Sequence, residues 1–259
     1  MLIALRLTRV AVHVVAGFAA ALGLARLPGP LRRRFLRWWA RRLLAVLGIR
    51  VRVSGVVATR PALIVANHVS WLDVIAIAAA QPALFVCKSE VARWPGLGWL
   101  LGRAGTIFIR RGSFRDVWRV NHQLRARFDA SHSVAVFPEG TTTCGADVLA
   151  FRPALFQPAV ERGLPVQPVA IAYSSEAAAY VGETSFIESL INIAGARRLE
   201  VRIALLPPLR STGLTRRQAA AQARGLIRAQ LAQRPLVEDG PFEVLDLHPQ
   251  RAAAAVDLR

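Results

Sequence analysis

From Arg50 onward, short apolar runs alternate with amphipathic stretches, and this alternation predicts an α/β domain with a largely parallel central sheet flanked by helices. A second observation concerns what precedes it. Residues 1–72 hold twelve arginines and no Asp or Glu, and Pro28-Gly29-Pro30 separates two apolar helical stretches within them. An N-terminal two-helix element therefore stands before the α/β domain. At 259 residues, 54% of them hydrophobic, the chain is long enough for one large domain with appendages. The boundaries read as 1–49 for the helical element, 50–235 for the α/β domain and 236–259 for a tail. The Ala-rich stretch after Pro249 reads as a poorly ordered end.

In the helical element, Val10 to Ala25 runs sixteen residues without a formal charge. As a helix it spans about 24 Å, short of the ~30 Å hydrocarbon core of a bilayer. Gly17, Ala21 and Ala25 recur at a spacing that suits close helix contact. The next stretch, RRRFLRWWARRLLAVLGIR, places Leu36, Trp39, Leu43, Val46 and Leu47 on one helical face and Arg34, Arg37 and Arg41 on the other. Arginines opposite Trp and Leu describe a helix lying in a membrane interface. The net charge is +18, with twelve of those charges before residue 73, which calls for a polyanionic partner. The apolar face selects an anionic membrane surface over nucleic acid, which has no use for it. A cleaved signal peptide is the competing account, but arginines on both flanks resist translocation and place the element on the cytoplasmic side.

The expected strands are Val51–Val53, Ala62–Ala66, Leu84–Cys87, Thr106–Ile109, Val134–Phe137, Val166–Ala172 and Glu200–Leu205. The expected helices are Val74–Ala80, Phe114–Phe128, Ala154–Arg162 and Thr215–Ala232. In open sheets of this kind, sites form at the carboxyl ends of strands. Three such ends carry chemistry: Asn67-His68, Arg110-Arg111 and Pro138-Glu139-Gly140-Thr141. Parallel strands bring all three to one edge.

His68 and Asp73 are five residues apart, so a continuous helix would turn them about 140° from each other. Ser70-x-x-Asp73 has capping-box spacing, which puts His68 past a strand end and Asp73 in the first turn of the next helix. Alone, Asp73 reads as a capping carboxylate and His68 as a loop residue. Other candidate chemistries fit poorly. Cys87 and Cys144 have no zinc-ligand spacing, and no second histidine joins His68, Asp73 and Glu139 as a metal ligand. His122 and His132 read as surface residues. There is no G-x-S-x-G elbow for a serine nucleophile. Gly96-Leu-Gly-Trp-Leu-Leu-Gly102 is not a dinucleotide loop, since its third glycine falls one place late; it reads as a close-contact apolar segment.

Four blocks in order, N-H-x-S-W-x-D at 67–73, G-x-I-F-I-x-R at 105–111, F-P-E-G-T at 137–141 and L-P-V-x-P-V at 164–169, resemble those of the glycerolipid (lysophospholipid) acyltransferases. The likeness is greatest to the bacterial 1-acyl-glycerol-3-phosphate acyltransferases. The resemblance implies that His68 is the general base, that Asp73 orients it, and that acyl transfer proceeds by direct attack with no acyl-enzyme. It implies that Arg111 binds the acceptor phosphate and that Glu139, Gly140 and Thr141 belong to acceptor binding. Oxyanion donors are expected from backbone N–H groups near the start of the Asp73 helix or from a side chain of the site. Pro165 and Pro168 of the fourth block read equally well as strand geometry. No cofactor is implied beyond an acyl-CoA or acyl carrier protein co-substrate, and the implied location is the cytoplasmic face of a bacterial inner membrane. Two departures concern the acceptor. Many phosphate-reading members carry an arginine soon after E-G-T, where this chain has Thr141-Thr142-Thr143, and the residue before Arg111 is often acidic, where this chain has Arg110. Arg110, Lys88 or Arg152 can supply the missing charge. Alternatively, the acceptor is a lyso-ornithine lipid, whose acyltransferases share these blocks. A basic binding protein without catalysis is the rival of a different class.

Overall fold

The apolar runs after Arg50 pair into one sheet, seen in a computed structural model that describes residues 1–24, 26–58, 61–93, 97–110, 114–233 and 243–244. Its strands are β1 (Ile49–Gly55), β2 (Leu63–Ala66), β3 (Leu84–Lys88), β4 (Ile107–Ile109), β5 (Val134–Val136), β6 (Val166–Tyr173), β7 (Leu199–Leu205) and β8 (Glu243–Val244). They lie in the order β4-β3-β5-β2-β6-β7-β1-β8. From β4 to β6 every pair is parallel; β7 returns antiparallel to β6, β1 is parallel to β7, and β8 is antiparallel to β1. The largely parallel α/β sheet expected from the alternation is therefore present.

The helices are α1 (Leu2–Leu24), α2 (Gly29–Leu47), α3 (Leu72–Ala80), α4 (Leu97–Ala104), α5 (Phe114–Asp129), α6 (Gln157–Glu161), α7 (Phe186–Gly195) and α8 (Arg216–Ala232). Central β2 shows why its sequence is apolar without alternation. Ile64 and Ala66 enter a core shared with Leu44 of α2 and Leu72 and Ala76 of α3, whereas Leu63 and Val65 enter one shared with Leu124 of α5, Phe156 and Ile227 of α8. A strand covered on both faces has no polar side to show.

Some boundaries differ from expectation. The helix expected at Ala154–Arg162 splits into a 3₁₀ turn, Pro153–Phe156, followed by the short α6. Helices α4 and α7 and strand β8 were not expected as regular elements. β8 falls inside the 236–259 segment; the rest of that segment lies outside the described residues, as does Ala25.

The N-terminal helices differ more instructively. α1 starts at Leu2 rather than Val10 and has 23 residues, about 34 Å at the usual rise. By length and composition its Leu2–Gly23 stretch is sufficient to cross a membrane. It is nevertheless tied to the domain. The Arg6 guanidinium donates to the Ala194 and Ala196 carbonyls at the end of α7 (3.0 and 2.6 Å), and His13 Nε2 lies 3.1 Å from the Trp39 carbonyl oxygen. Part of the apolar face read on α2 turns inward: Leu43 and Leu47 are buried, whereas Leu36, Trp39 and Val46 keep partial exposure. Ala40, Leu43, Leu44 and Leu47 are buried in the core with α3 and the sheet, because a protein core meets the same need for an apolar neighbour.

Gly17 of α1 faces the Trp39 indole so closely that a Cβ would lie 2.5 Å from Nε1. Gly17→Val should push α1 off α2, costing about 1–3 kcal/mol as overpacking does. A lowered thermal midpoint and faster proteolysis within residues 1–28 would register it; wild-type values for both would show that Trp39 can yield.

Candidate active site

The parallel arrangement of β2 to β6 puts five strand ends on one edge, and with them His68, Lys88, Arg110, Glu139 and Tyr173. After β2, Asn67 binds sideways to β6. Its Nδ2 donates to the Ile171 carbonyl (2.9 Å), and its Oδ1 accepts from the Ile171 N–H (2.8 Å). The chain then turns before α3 begins at Leu72, bringing His68 Nδ1 to 2.8 Å from Asp73 Oδ2.

Asp73 is fully buried. Its Oδ2 also accepts from the backbone N–H groups of Val69 (2.7 Å) and Ser70 (3.0 Å), and its Oδ1 accepts from the Tyr173 hydroxyl (2.6 Å). One carboxylate thus orients the histidine and satisfies two N–H groups of the turn before α3, while the reciprocal half of the expected capping box is not formed, since Ser70 Oγ accepts from the Leu72 N–H. The Val69 and Ser70 N–H groups are spent on Asp73, and that of Leu72 points at Ser70 Oγ (3.3 Å). These three donors at the start of the Asp73 helix are therefore not free to hold an oxyanion. Tyr173 is held well above the usual phenol range by burial and by the neighbouring Asp73 charge, so it stays a donor.

Because Asp73 occupies Nδ1, the histidine tautomer with its proton there leaves Nε2 as an acceptor. The ring stacks on Phe137 at 4.1 Å between centroids and 17° between planes. Glu139 supports His68 from the backbone side: Oε1 accepts from the His68 N–H (2.7 Å) and Oε2 from the Leu149 N–H (2.8 Å). Burial raises its carboxyl above the ordinary 4.5, while those two N–H groups pull the other way. The loop after Glu139 returns over the site. The Thr143 N–H donates to the His68 carbonyl (2.8 Å), the Thr142 hydroxyl donates to the Tyr180 carbonyl, and the Tyr180 N–H donates to the Val69 carbonyl (2.9 Å). Gly140 has φ +76°, and a Cβ there would lie 2.9 Å from Arg152 Nε.

His68 opens on a cavity of about 960 Å³. Its far walls are apolar: Leu7, Val10 and Val14 of α1, Leu43 of α2, Leu100 and Leu101 of α4, and Phe186 and Leu190 of α7. The close-contact reading of the Gly96–Gly102 segment holds at Gly98, where a Cβ would lie 2.0 Å from the Ala92 carbonyl oxygen, but not at Gly102, where nothing lies within 4 Å of one. Polar groups on the cavity wall include Thr141, Thr142, Lys88, Glu90, Arg110 and Arg152. Lys88 Nζ lies 3.2 Å from Glu90 Oε1, and Arg110 Nε lies 3.5 Å from Asp116. Arg111 lies outside the described residues. Tyr173 escaped the sequence reading entirely, because nothing local marks a strand-end tyrosine as the partner of a carboxylate one hundred positions away.

Fold and site together define an α/β protein that presents a carboxylate-held histidine to a cavity of lipid dimensions. Comparison with known proteins narrows this. The family model described as Acyltransferase matches residues 49–172. A lyso-ornithine lipid O-acyltransferase from Pseudomonas aeruginosa is 42% identical over 225 residues, covering 83% of this chain and 87% of that one. A 1-acyl-sn-glycerol-3-phosphate acyltransferase from Neisseria meningitidis is 35% identical over 179 residues, covering 66% and 70%. The crystal structure of the 1-acyl-sn-glycerophosphate acyltransferase PlsC from Thermotoga maritima shares the fold, with a TM-score of 0.62 at 19% identity across 91% of this chain and 100% of that one. The chain belongs to the lysophospholipid acyltransferase family.

Glu139→Gln removes one of two acceptors and should cost about 1–3 kcal/mol, as an unmet buried N–H does. The pH dependence has a defined sign. The native state holds the Glu139 proton more tightly than the unfolded chain, so this residue's contribution is present below pH 4.5 and falls as pH rises through the elevated native value. Denaturant midpoints between pH 4 and 8 should therefore show the Gln variant's deficit narrowing with pH; a deficit that widens would contradict the burial argument.

Proposed function

We propose that this chain transfers a fatty acyl group from an acidic thioester donor, acyl-CoA or acyl carrier protein, to the free hydroxyl of a lyso-ornithine lipid. The observation that carries the chemistry is the His68–Asp73 pair at 2.8 Å, opening on the apolar cavity. His68 Nε2 takes the hydroxyl proton as the oxygen attacks the thioester carbonyl carbon. Asp73 keeps the tautomer and stabilises the imidazolium. Collapse of the tetrahedral adduct expels the thiolate, which recovers the proton from His68 to leave as a thiol.

The choice of acceptor is supported by the similarity to the Pseudomonas aeruginosa relative and by the Thr141–Thr143 run. A wall carrying Glu90 beside Lys88 and Arg152 also suits a head group with both an ammonium and a carboxylate. The second reading, 1-acyl-glycerol-3-phosphate to phosphatidic acid, is favoured by Lys88, Arg110 and Arg152 on the same wall, a basic set able to hold a phosphate, with Arg111 beside it in sequence. Membrane contact is assigned to the exposed apolar side chains of α1 and α2, among them Leu5, Val12, Val15, Leu22, Leu31 and Trp38, with arginines at their flanks meeting anionic lipid on the cytoplasmic side.

Purified protein in detergent should acylate lyso-ornithine lipid faster than lysophosphatidic acid with labelled donors of both kinds. The reverse order would exchange the two readings, and transfer to neither would sink both. His68→Ala should lower turnover by about three orders of magnitude or more, and Asp73→Asn by a similar factor; mild losses would remove the pair from catalysis. Charging the apolar face with Val12→Asp and Val15→Asp should reduce co-sedimentation with anionic liposomes about tenfold or more, and unchanged binding would place the membrane contact elsewhere.

A further inference from the structure

His68 draws on one oxygen of Asp73, and the other oxygen has its own donor. Oδ2 serves His68 Nδ1, Val69 N–H and Ser70 N–H, all from the turn between β2 and α3. Oδ1 receives the Tyr173 hydroxyl at 2.6 Å, from the last residue of β6. The two sets of donors approach from different elements, so together they fix the plane of the carboxylate. The turn donors hold Oδ2 alone, so the Tyr173 hydroxyl adds a restraint on Oδ1 and further resists rotation about the Cβ–Cγ bond, which would spoil the aim of Oδ2 at His68.

We propose that Tyr173 is a positioning residue for acyl transfer, its hydroxyl holding the Asp73 carboxylate in the orientation that serves His68 and setting how strongly Asp73 favours the imidazolium. The inference rests on the proposed role of His68 as the base. The second effect follows from charge. An O–H donor on Oδ1 draws negative charge from the carboxylate and weakens its pull on the Nδ1 proton. Without that donor Asp73 stabilises the imidazolium more, and His68 keeps its proton to higher pH.

The ionisable surroundings are few and can be named. Glu139, on the loop after β5, faces the pair and couples to both His68 and Asp73. Cys87, Lys88, Glu90, Arg110, Arg152 and Tyr180 line the cavity wall. Glu200 of β7 is paired with Arg52 and Arg202 on the strands beyond β6. Tyr173→Phe alters none of these groups.

The test is the pH profile of acyl transfer by the full-length protein in detergent, with Tyr173→Phe beside wild type. Turnover at pH 7 should fall about tenfold, the worth of one strong hydrogen bond, with the KM for both substrates unchanged. The acidic limb of kcat/KM should move up by about half a unit to one unit, so the deficit shrinks as pH rises. Because Tyr173→Phe can also loosen the fold, a second variant carries 3,5-difluorotyrosine at position 173. Its stronger donor should move the limb the opposite way, to lower pH. Limbs that stay put in both variants overturn the proposal even if turnover falls, since a smaller folded fraction would not move the limb in opposite directions in the two variants. His68→Ala separates this from the reading beneath it. If that variant keeps wild-type turnover, the base assignment fails; if it is inactive while Tyr173→Phe behaves as wild type, this inference alone fails.

Discussion

Asp73 is withheld from solvent, so every hydrogen bond its charge requires has to come from the protein. Four donors supply them: His68 and two backbone N–H groups from the turn after β2, and the Tyr173 hydroxyl from β6. This requirement explains much of the surrounding architecture. β2 and β6 must run parallel and adjacent, so that both end on the same edge, and Asn67 fastens one to the other directly beneath the site. Glu139, from β5 on the other side of β2, holds the His68 backbone N–H. The three central strands thus converge on a single histidine, with each contributing a different contact.

The same economy governs the N-terminal helices. α2 gives Leu43, Leu44 and Leu47 to the core and α1 gives the cavity one of its walls, so the N-terminal element both completes the core and encloses the space on which His68 opens. Arg6 anchors α1 to the end of α7 by two carbonyls, where cations are favoured by the helix dipole. A cavity walled by the apolar side chains of α1 suits a chain-bearing substrate, because an acyl chain finds apolar surroundings there.

The block N-H-x-S-W-x-D marked His68 and Asp73 because their meeting depends on five residues of local chain, and a strand end followed by a capping signal specifies that turn. The positions of Arg110 and Glu139 were legible for a related reason: each follows an apolar run, and parallel pairing sends the ends of such runs to one edge. Tyr173 was not legible. Its role depends on β6 lying next to β2 in the sheet, and strand order is a property of the whole chain rather than of any window within it.

By itself, then, the sequence determined the α/β class, the histidine–aspartate turn and the basic, apolar character of the N-terminal arm. Tertiary structure alone decided where the apolar face of α2 is spent and which side chain completes Asp73. The physical reason is that amphipathicity records only a need for an apolar neighbour. A bilayer and a protein core satisfy that need equally well, and Ala40, Leu43, Leu44 and Leu47 met the core. A buried carboxylate likewise demands a donor without specifying its source, and the fold supplied Tyr173.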